Sequence, residues 1–287
     1  MNLKKNGILA RLGLLLTMVF LYAPILVLIV FSFNNSKSRT VWQGFSLKWY
    51  LKLVGDSRIL TALATTLEIS VLAMLISTLL GTMAAIGFFN MRKRPRAVLM
   101  AINNVPMTNA DIITGVSLML LFVFAAGAFN ATLGSVLGFE LKLGFFTLLL
   151  AHITFDIPYV ILSVLPKLNQ CDPNIEEAAQ DLGAHPWQAF WMVVFPEIRP
   201  GVLNGAIMAF TMSVDDFVIS YFTAGSGAST LAMEIYAMTR KRISPEINAL
   251  STLLFVVVLS LLAVVNIRSA RQEKAAQRRA AVLRQKN

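Results

Sequence analysis

With 287 residues, 56% of them hydrophobic, and a mean hydropathy of +0.68, the chain is too apolar for a soluble domain and has the composition of a polytopic membrane protein. Its formal net charge of +10 would suit nucleic acid, but the basic residues gather beside the apolar segments without aromatic RNA-binding context, so anionic lipid headgroups account for them better and no nucleic-acid partner is expected. The single cysteine, Cys171, excludes an intrachain disulfide, and with His152 and His185 it gives no metal-ligand spacing.

A membrane-spanning helix needs about 20 apolar residues. Six segments qualify: 12–32, 59–89, 98–125, 143–166, 201–223 and 247–267. An even number places both termini on one side, and sixteen of the 25 Lys and Arg residues fall on the face that holds the termini. The richer face is cytoplasmic by the positive-inside rule, so both termini are expected in the cytoplasm. The expectation is an all-α membrane protein with six transmembrane helices. It divides into an N-terminal span with its extracytoplasmic loop (1–58), a core of five spans (59–267) and a basic cytosolic tail (268–287).

The first segment lacks a small-residue cleavage site and reads as a retained span, followed by a loop carrying Trp42, Trp49 and Tyr50 at the membrane interface. The second is long enough to tilt or protrude, and its recurring Ser, Thr, Gly and Ala residues are those that let helices approach in lipid. Arg92 to Arg96 close it as a cytosolic turn. The third span is broken by the polar run Asn103 to Gly115 with Pro106, tolerable only against protein or water. The fourth carries His152, Asp156 and Pro158; His152 reads as a hydrogen-bonded span residue, not a proton shuttle. The fifth carries Ser213, Asp215, Asp216 and Phe217, and the sixth opens at Ser244-Pro245-Glu246.

Between the fourth and fifth spans lies a polar island, Asn169 to Pro200, within a cytosolic loop 167–200. Asp172 as N-cap, Pro173 at the first position and Gly183 as stop bracket a helix of about ten residues. Ile175, Ala178, Ala179 and Leu182 form its apolar stripe. A second helix is expected after Pro186, through Trp187, Phe190 and Val194, ending at Pro196 with a turn over Glu197 to Pro200. The order Glu177-Ala178-Ala179, three residues, Gly183, nine residues, Val193-x-Phe195-Pro196 resembles the EAA loop of ABC-importer permeases, departing only where Val193 and Phe195 replace the usual Ile and Leu. That resemblance implies a type I ABC importer transmembrane domain. In it Glu177, Ala178, Ala179, Gly183 and Pro196 belong to a coupling helix seated in a groove of a cytosolic ATPase. The alternative is an amphipathic hairpin lying on lipid headgroups.

The runs LYAPILVLIVFSFNNSK, AHITFxxPYV, SxDDFVISYF and SPEINALST resemble the spermidine/putrescine branch of these permeases. Glu68, Asp111, Asp156, Asp215 and Asp216 lie within the expected spans, where no Lys or Arg lies. An unpaired carboxylate there costs at least about 2.5 kcal/mol, and a cationic substrate would repay it. At 1.5 Å per residue Asp111, Asp156 and the Asp215/Asp216 pair fall about 20, 15 and 23 Å from the cytosolic ends of their helices, comparable depths on three helices. We expect Asp111, Asp156, Asp215 and Asp216 to line a route for ammonium groups, with Phe155, Tyr159, Phe217 and Tyr221 as cation–π walls. The alternative for each acid is capping a broken helix or bonding a sister subunit. Glu68 reads as a packing or interface acid. Asp215 and Asp216 should sit about 100° apart on one helix.

No Gly-Lys dipeptide occurs, so the chain has no phosphate-binding P-loop, no catalytic residues are expected, and ATP and Mg would be bound by partners. The resemblance implies those partners: a homologous sister permease in a heterodimer, two copies of an ABC ATPase and an extracytoplasmic polyamine-binding protein, in a setting of membrane lipids. Another small solute on the same machine, or an ion-driven secondary transporter using the acids as a proton relay, are the alternatives; no internal repeat supports the latter.

Overall fold

The computed structural model describes residues 6–36, 41–134, 138, 140–172, 174–241, 245–260, 262, 263 and 267. The basic tail 268–287 and the expected roles of Pro173 and Ser244 lie outside the described residues. Four described helices are long and apolar enough to cross a membrane, Ala10–Ser32, Ser57–Asn90, Asp111–Thr132 and Phe145–Leu168, and Glu246–Ser260 is a shorter apolar helix. The chain forms two compact units, residues 1–60 with 234–257 and residues 61–233 with 258–287.

In the first unit, α1 (Asn6–Ser32) carries Pro24 and apolar side chains on all faces. None of its most apolar window is buried by the chain itself. It ends in a loop held by one side chain: Asn34 Nδ2 donates to the Val41 carbonyl at 2.8 Å, and its Oδ1 accepts from the backbone of Gln43 at 2.9 Å and of Ser36 at 3.2 Å. Trp49, on α2 (Lys48–Val54), donates from Nε1 to the Asn34 carbonyl at 2.7 Å, and the Tyr50 hydroxyl hydrogen-bonds Ser32 at 2.7 Å. The loop aromatics are therefore tied to the end of α1. Lys52 pairs with Glu246. Arg58 grips Asp56 at 3.0 Å just before α3, and its guanidinium holds that carboxyl below the usual carboxylate range.

The second unit contains most of α3 (Ser57–Asn90), then α4 (Lys93–Thr108), α5 (Asp111–Phe129), α6 (Phe145–Leu168), α7 (Ile175–Asp181), α8 (Pro186–Ala189), a π-helical turn over Phe190–Val194, α9 (Phe195–Asp215) and α10 (Val218–Thr223). Two helices follow, α11 (Leu231–Lys241) and α12 (Glu246–Ser260), each divided between the units. α6 is the axis of the second unit, with Val160, Ile161, Val164 and Leu165 buried against Ala85 of α3 and Ile198 and Ala209 of α9. Lipid tails are as apolar as leucine, so close packing holds these helices together in place of the hydrophobic effect. Glycine permits the closest approach: a Cβ on Gly201 would stand 2.8 Å from the Ser163 carbonyl oxygen, and one on Gly81 2.7 Å from the Val160 side chain.

Two expected spans prove discontinuous. The helix through 98–125 breaks at Asn109 and Ala110, both extended, and Pro106 lies inside α4. Pro106 is carried within α4, and the chain leaves the helix only where Asn109 ends it. The segment 201–223 breaks at Asp216, which is extended (φ −65°, ψ 126°), so Asp215 and Asp216 are divided by the end of a helix, not set 100° apart on one helix. The expected turn at Glu197 to Pro200 is absent. Helical backbone runs from Pro186 to Asp215 through a wide π turn over Phe190–Val194, and Pro196 follows that turn without ending the helix.

Candidate functional site

The site forms where α6 passes the broken end of α9. His152 and Asp156 are four residues apart on α6 and so share one face, and both are buried. Ser213, in the last turn of α9, donates to Asp156 Oδ2 at 2.8 Å. The break after Asp215 leaves the first N–H groups of α10 without helical partners, and Asp216 supplies them. Its carboxylate accepts from the backbone of Ile219 at 3.2 Å and of Ser220 at 2.7 Å, and from the Ser220 hydroxyl at 2.9 Å. His152 Nε2 closes the cluster, 3.1 Å from Ser220 Oγ and 3.7 Å from Asp216 Oδ2. Asp156 Oδ1 alone in this cluster is buried without a hydrogen-bond partner.

The four aspartates thus separate into two kinds. Asp156 and Asp216 are committed to internal contacts, Asp216 as the cap of a broken helix. Asp111, in the first turn of α5, and Asp215, the last residue of α9, are exposed. Because α4 and α5 are separate helices, a depth counted along one continuous third helix does not apply to Asp111. Tyr159 follows Asp156 by three residues on α6. Its ring packs on Phe155 at 5.5 Å, and Phe217 packs on Tyr221 at 5.5 Å, the latter half exposed. Leu118 and Phe122 of α5 complete the wall with Met212, Phe155 and Ile219. Gly115 lets α5 approach α10, since a Cβ there would meet Phe222 at 3.0 Å. Glu68 is exposed on α3.

Sequence reasoning missed Ser220, although an Asp with N–H groups three and four residues later is a recognisable cap pattern. What concealed it was the absence of Gly or Pro at the break.

The helix of the polar island is shorter than the sequence suggested. α7 spans seven residues, and Asp172 caps the turn before it by accepting from Asn174 N at 3.0 Å. Gly183 adopts φ +90°, a conformation that favours glycine, and ends the helix as expected. Glu177, Ala178 and Leu182 are exposed, Leu182 at 91%, so part of the apolar stripe has no cover within the chain. Beyond the turn the rings of Trp187, Phe190, Trp191 and Phe195 stack on one another, with Trp191 and Phe195 centroids 4.7 Å apart. Pro196 follows this stack. Cys171 donates to the Lys167 carbonyl at 3.3 Å, and burial, with Glu197 second, pushes its thiol up.

Residues 77–277 match the family described as "Binding-protein-dependent transport system inner membrane component". The chain is 41% identical over 242 residues to the putrescine transport system permease protein PotI of Escherichia coli (strain K12), covering 84% of this chain and 83% of that one. It is 36% identical to the spermidine/putrescine transport system permease protein PotC of the same strain, over 84% and 86% of the two chains. A crystal structure of a bacterial ABC transporter involved in the import of the acidic polysaccharide alginate shares the fold, with a TM-score of 0.68 at 17% identity over 93% of this chain and 96% of that one. Its complex with an alginate pentasaccharide-bound periplasmic protein aligns with a TM-score of 0.70 at 14% identity, over 95% and 96% of the two chains. The type I ABC importer transmembrane fold expected from the coupling pattern is thus present, and by the match over residues 77–277 the chain belongs to the binding-protein-dependent inner-membrane permease family.

Proposed function

We propose that this chain is the permease subunit of an ATP-driven importer of putrescine or spermidine. The observation that carries this reading is its identity of 41% and 36% to two polyamine permeases across most of its length. Intramembrane carboxylates without Lys or Arg in the same spans support a polycationic solute. In this reading both termini are cytoplasmic and a homologous permease completes the pathway. Two copies of an ATPase bind ATP and Mg, and an extracytoplasmic binding protein delivers the polyamine. The exposed Glu177, Ala178 and Leu182 of α7 form the face that enters the ATPase, with Gly183 ending the helix. ATP-driven closure of the ATPases moves that helix, and the motion opens the pathway outward.

Within the pathway the exposed carboxylates Asp111 and Asp215 are free to pair with ammonium groups, and Tyr159, Phe217 and Tyr221 offer ring faces beside them. Asp156 and Asp216, with Phe155, stand one layer behind and hold α6, α9 and α10 in register. Uptake of labelled putrescine and spermidine into proteoliposomes holding all four kinds of subunit, with and without internal ATP, tests the proposal. ATP-dependent accumulation of either polyamine supports it. ATP hydrolysis without polyamine entry would redirect the search to another solute, and failure of both would remove the coupling reading.

A further inference from the structure

In the second unit, α3 and the helical run that begins at Pro186 leave between them an apolar groove of about 590 Å³. One wall is α3 from Met74 to Ile86; the other is Trp187, Trp191, Phe195, Val202 and Ala206. From Met74 to Ile86 is about 18 Å along the helix, close to the half-thickness of about 15 Å of a bilayer's hydrocarbon core. The groove therefore has the reach of one leaflet. On the orientation proposed above, this is the cytosolic leaflet, and the half-exposed tryptophans of its wall fit the preference of indole rings for the headgroup boundary.

Charge indicates the occupant. α3 ends at Asn90, and Arg92, Lys93 and Arg94 follow at once, all exposed and without an ion pair among the described residues. On α9, Arg199 is also exposed and unpaired among the described residues. At 100° per residue Arg199 shares the stripe of Phe195, Val202 and Ala206, whereas Glu197 is turned about 200° from Phe195. The groove is thus apolar in its lining, with one cation on the stripe of its α9 wall and three just beyond the end of α3. We propose that it holds an acyl chain of an anionic phospholipid of the cytosolic leaflet, with the headgroup phosphate at Arg199 and the Arg92–Arg94 cluster. The bound lipid packs on Trp187 and Trp191, four and eight residues after Gly183, and makes the packing of the coupling segment dependent on lipid composition.

The full chain, purified in mild detergent, is to be examined by native mass spectrometry with phosphatidylglycerol and phosphatidylcholine of identical acyl chains. Wild type should retain phosphatidylglycerol several-fold better than phosphatidylcholine. Ala206→Trp, which fills the groove, should lose that retention, and Arg199→Gln, a surface change expected to fold normally, should reduce phosphatidylglycerol to the phosphatidylcholine level. Equal retention of the two lipids by wild type, or undiminished phosphatidylglycerol on a monodisperse Ala206→Trp protein, would overturn the proposal. So would a disulfide between Leu79→Cys and a partner-subunit helix in the assembled transporter, since the groove would then be a protein interface. None of these readouts requires transport, so their failure leaves the polyamine reading intact.

Discussion

The neighbouring acids Asp215 and Asp216 should respond to substitution in opposite ways. Asp216→Ala removes a carboxylate that accepts two backbone N–H groups and the Ser220 hydroxyl at 2.7–3.2 Å, and leaves His152 facing an empty position. Loss of a helix cap costs about 0.5–2 kcal/mol, and each hydrogen bond to a charged group about 1.5–3 kcal/mol. These contributions overlap, so about 3 kcal/mol is expected in total. For a chain of this size about 2 °C of unfolding midpoint corresponds to each kcal/mol, giving a fall of roughly 6 °C. Asp215→Ala touches an exposed side chain and should shift the midpoint by less than about 1 °C. Asp216→Asn keeps an acceptor oxygen for one N–H and should fall between them. Thermal unfolding in detergent followed by size-exclusion chromatography measures all three. If Asp215→Ala destabilised as much as Asp216→Ala, or if Asp216→Ala left the midpoint unchanged, the division into an internal cap and an exposed acid would be wrong.

Other substitutions test the packing and the coupling turn. Gly183→Val should leave the midpoint within about 2 °C, because the turn is exposed, but should uncouple ATP hydrolysis from uptake by forcing a β-branched residue to φ +90°. Gly201→Val places a Cβ 2.8 Å from the Ser163 carbonyl oxygen and should cost about 1–3 kcal/mol, while Gly227→Ala, whose Cβ would meet atoms no nearer than 3.8 Å, should be near neutral by the same unfolding assay. Cys171 should alkylate more slowly than a free thiol at pH 8, because burial keeps it protonated and only the thiolate reacts. The rate should rise above pH 9, and Glu197→Gln, which removes the second cause, should speed the reaction at pH 8.

Much of the architecture is readable in the sequence because its signals are local. The first, second and fourth spans follow from length and apolarity alone, and Gly183 ends α7 because few other residues accept its φ. The third span's interruption was legible from its polar run, although Pro106 suggested a site a few residues early. The break at Asp216 was not, since Ser213 to Ser220 contains neither Gly nor Pro. The extended backbone there is sustained by partners 60 residues away in sequence, His152 and Asp156, whose proximity only tertiary packing creates. The same contacts decide which acids are internal and which are exposed, a distinction no spacing rule contains. Pro196 misled for the opposite reason: a stop signal read locally falls within helical backbone that continues from the π turn before it.

That π turn has a mechanical consequence. Helical backbone is unbroken from Pro186 to Asp215, and its longer part, α9, is clamped to α6 near Gly201 and Gly205, where glycine allows backbone contact. A tilt of about 10° around Gly201 would swing Asp215, about 21 Å further along, through roughly 4 Å. Displacement passed along the backbone from Trp187 would thus reach the acid end as a stroke of that size, with Asp216 as the joint at which α9 gives way to α10.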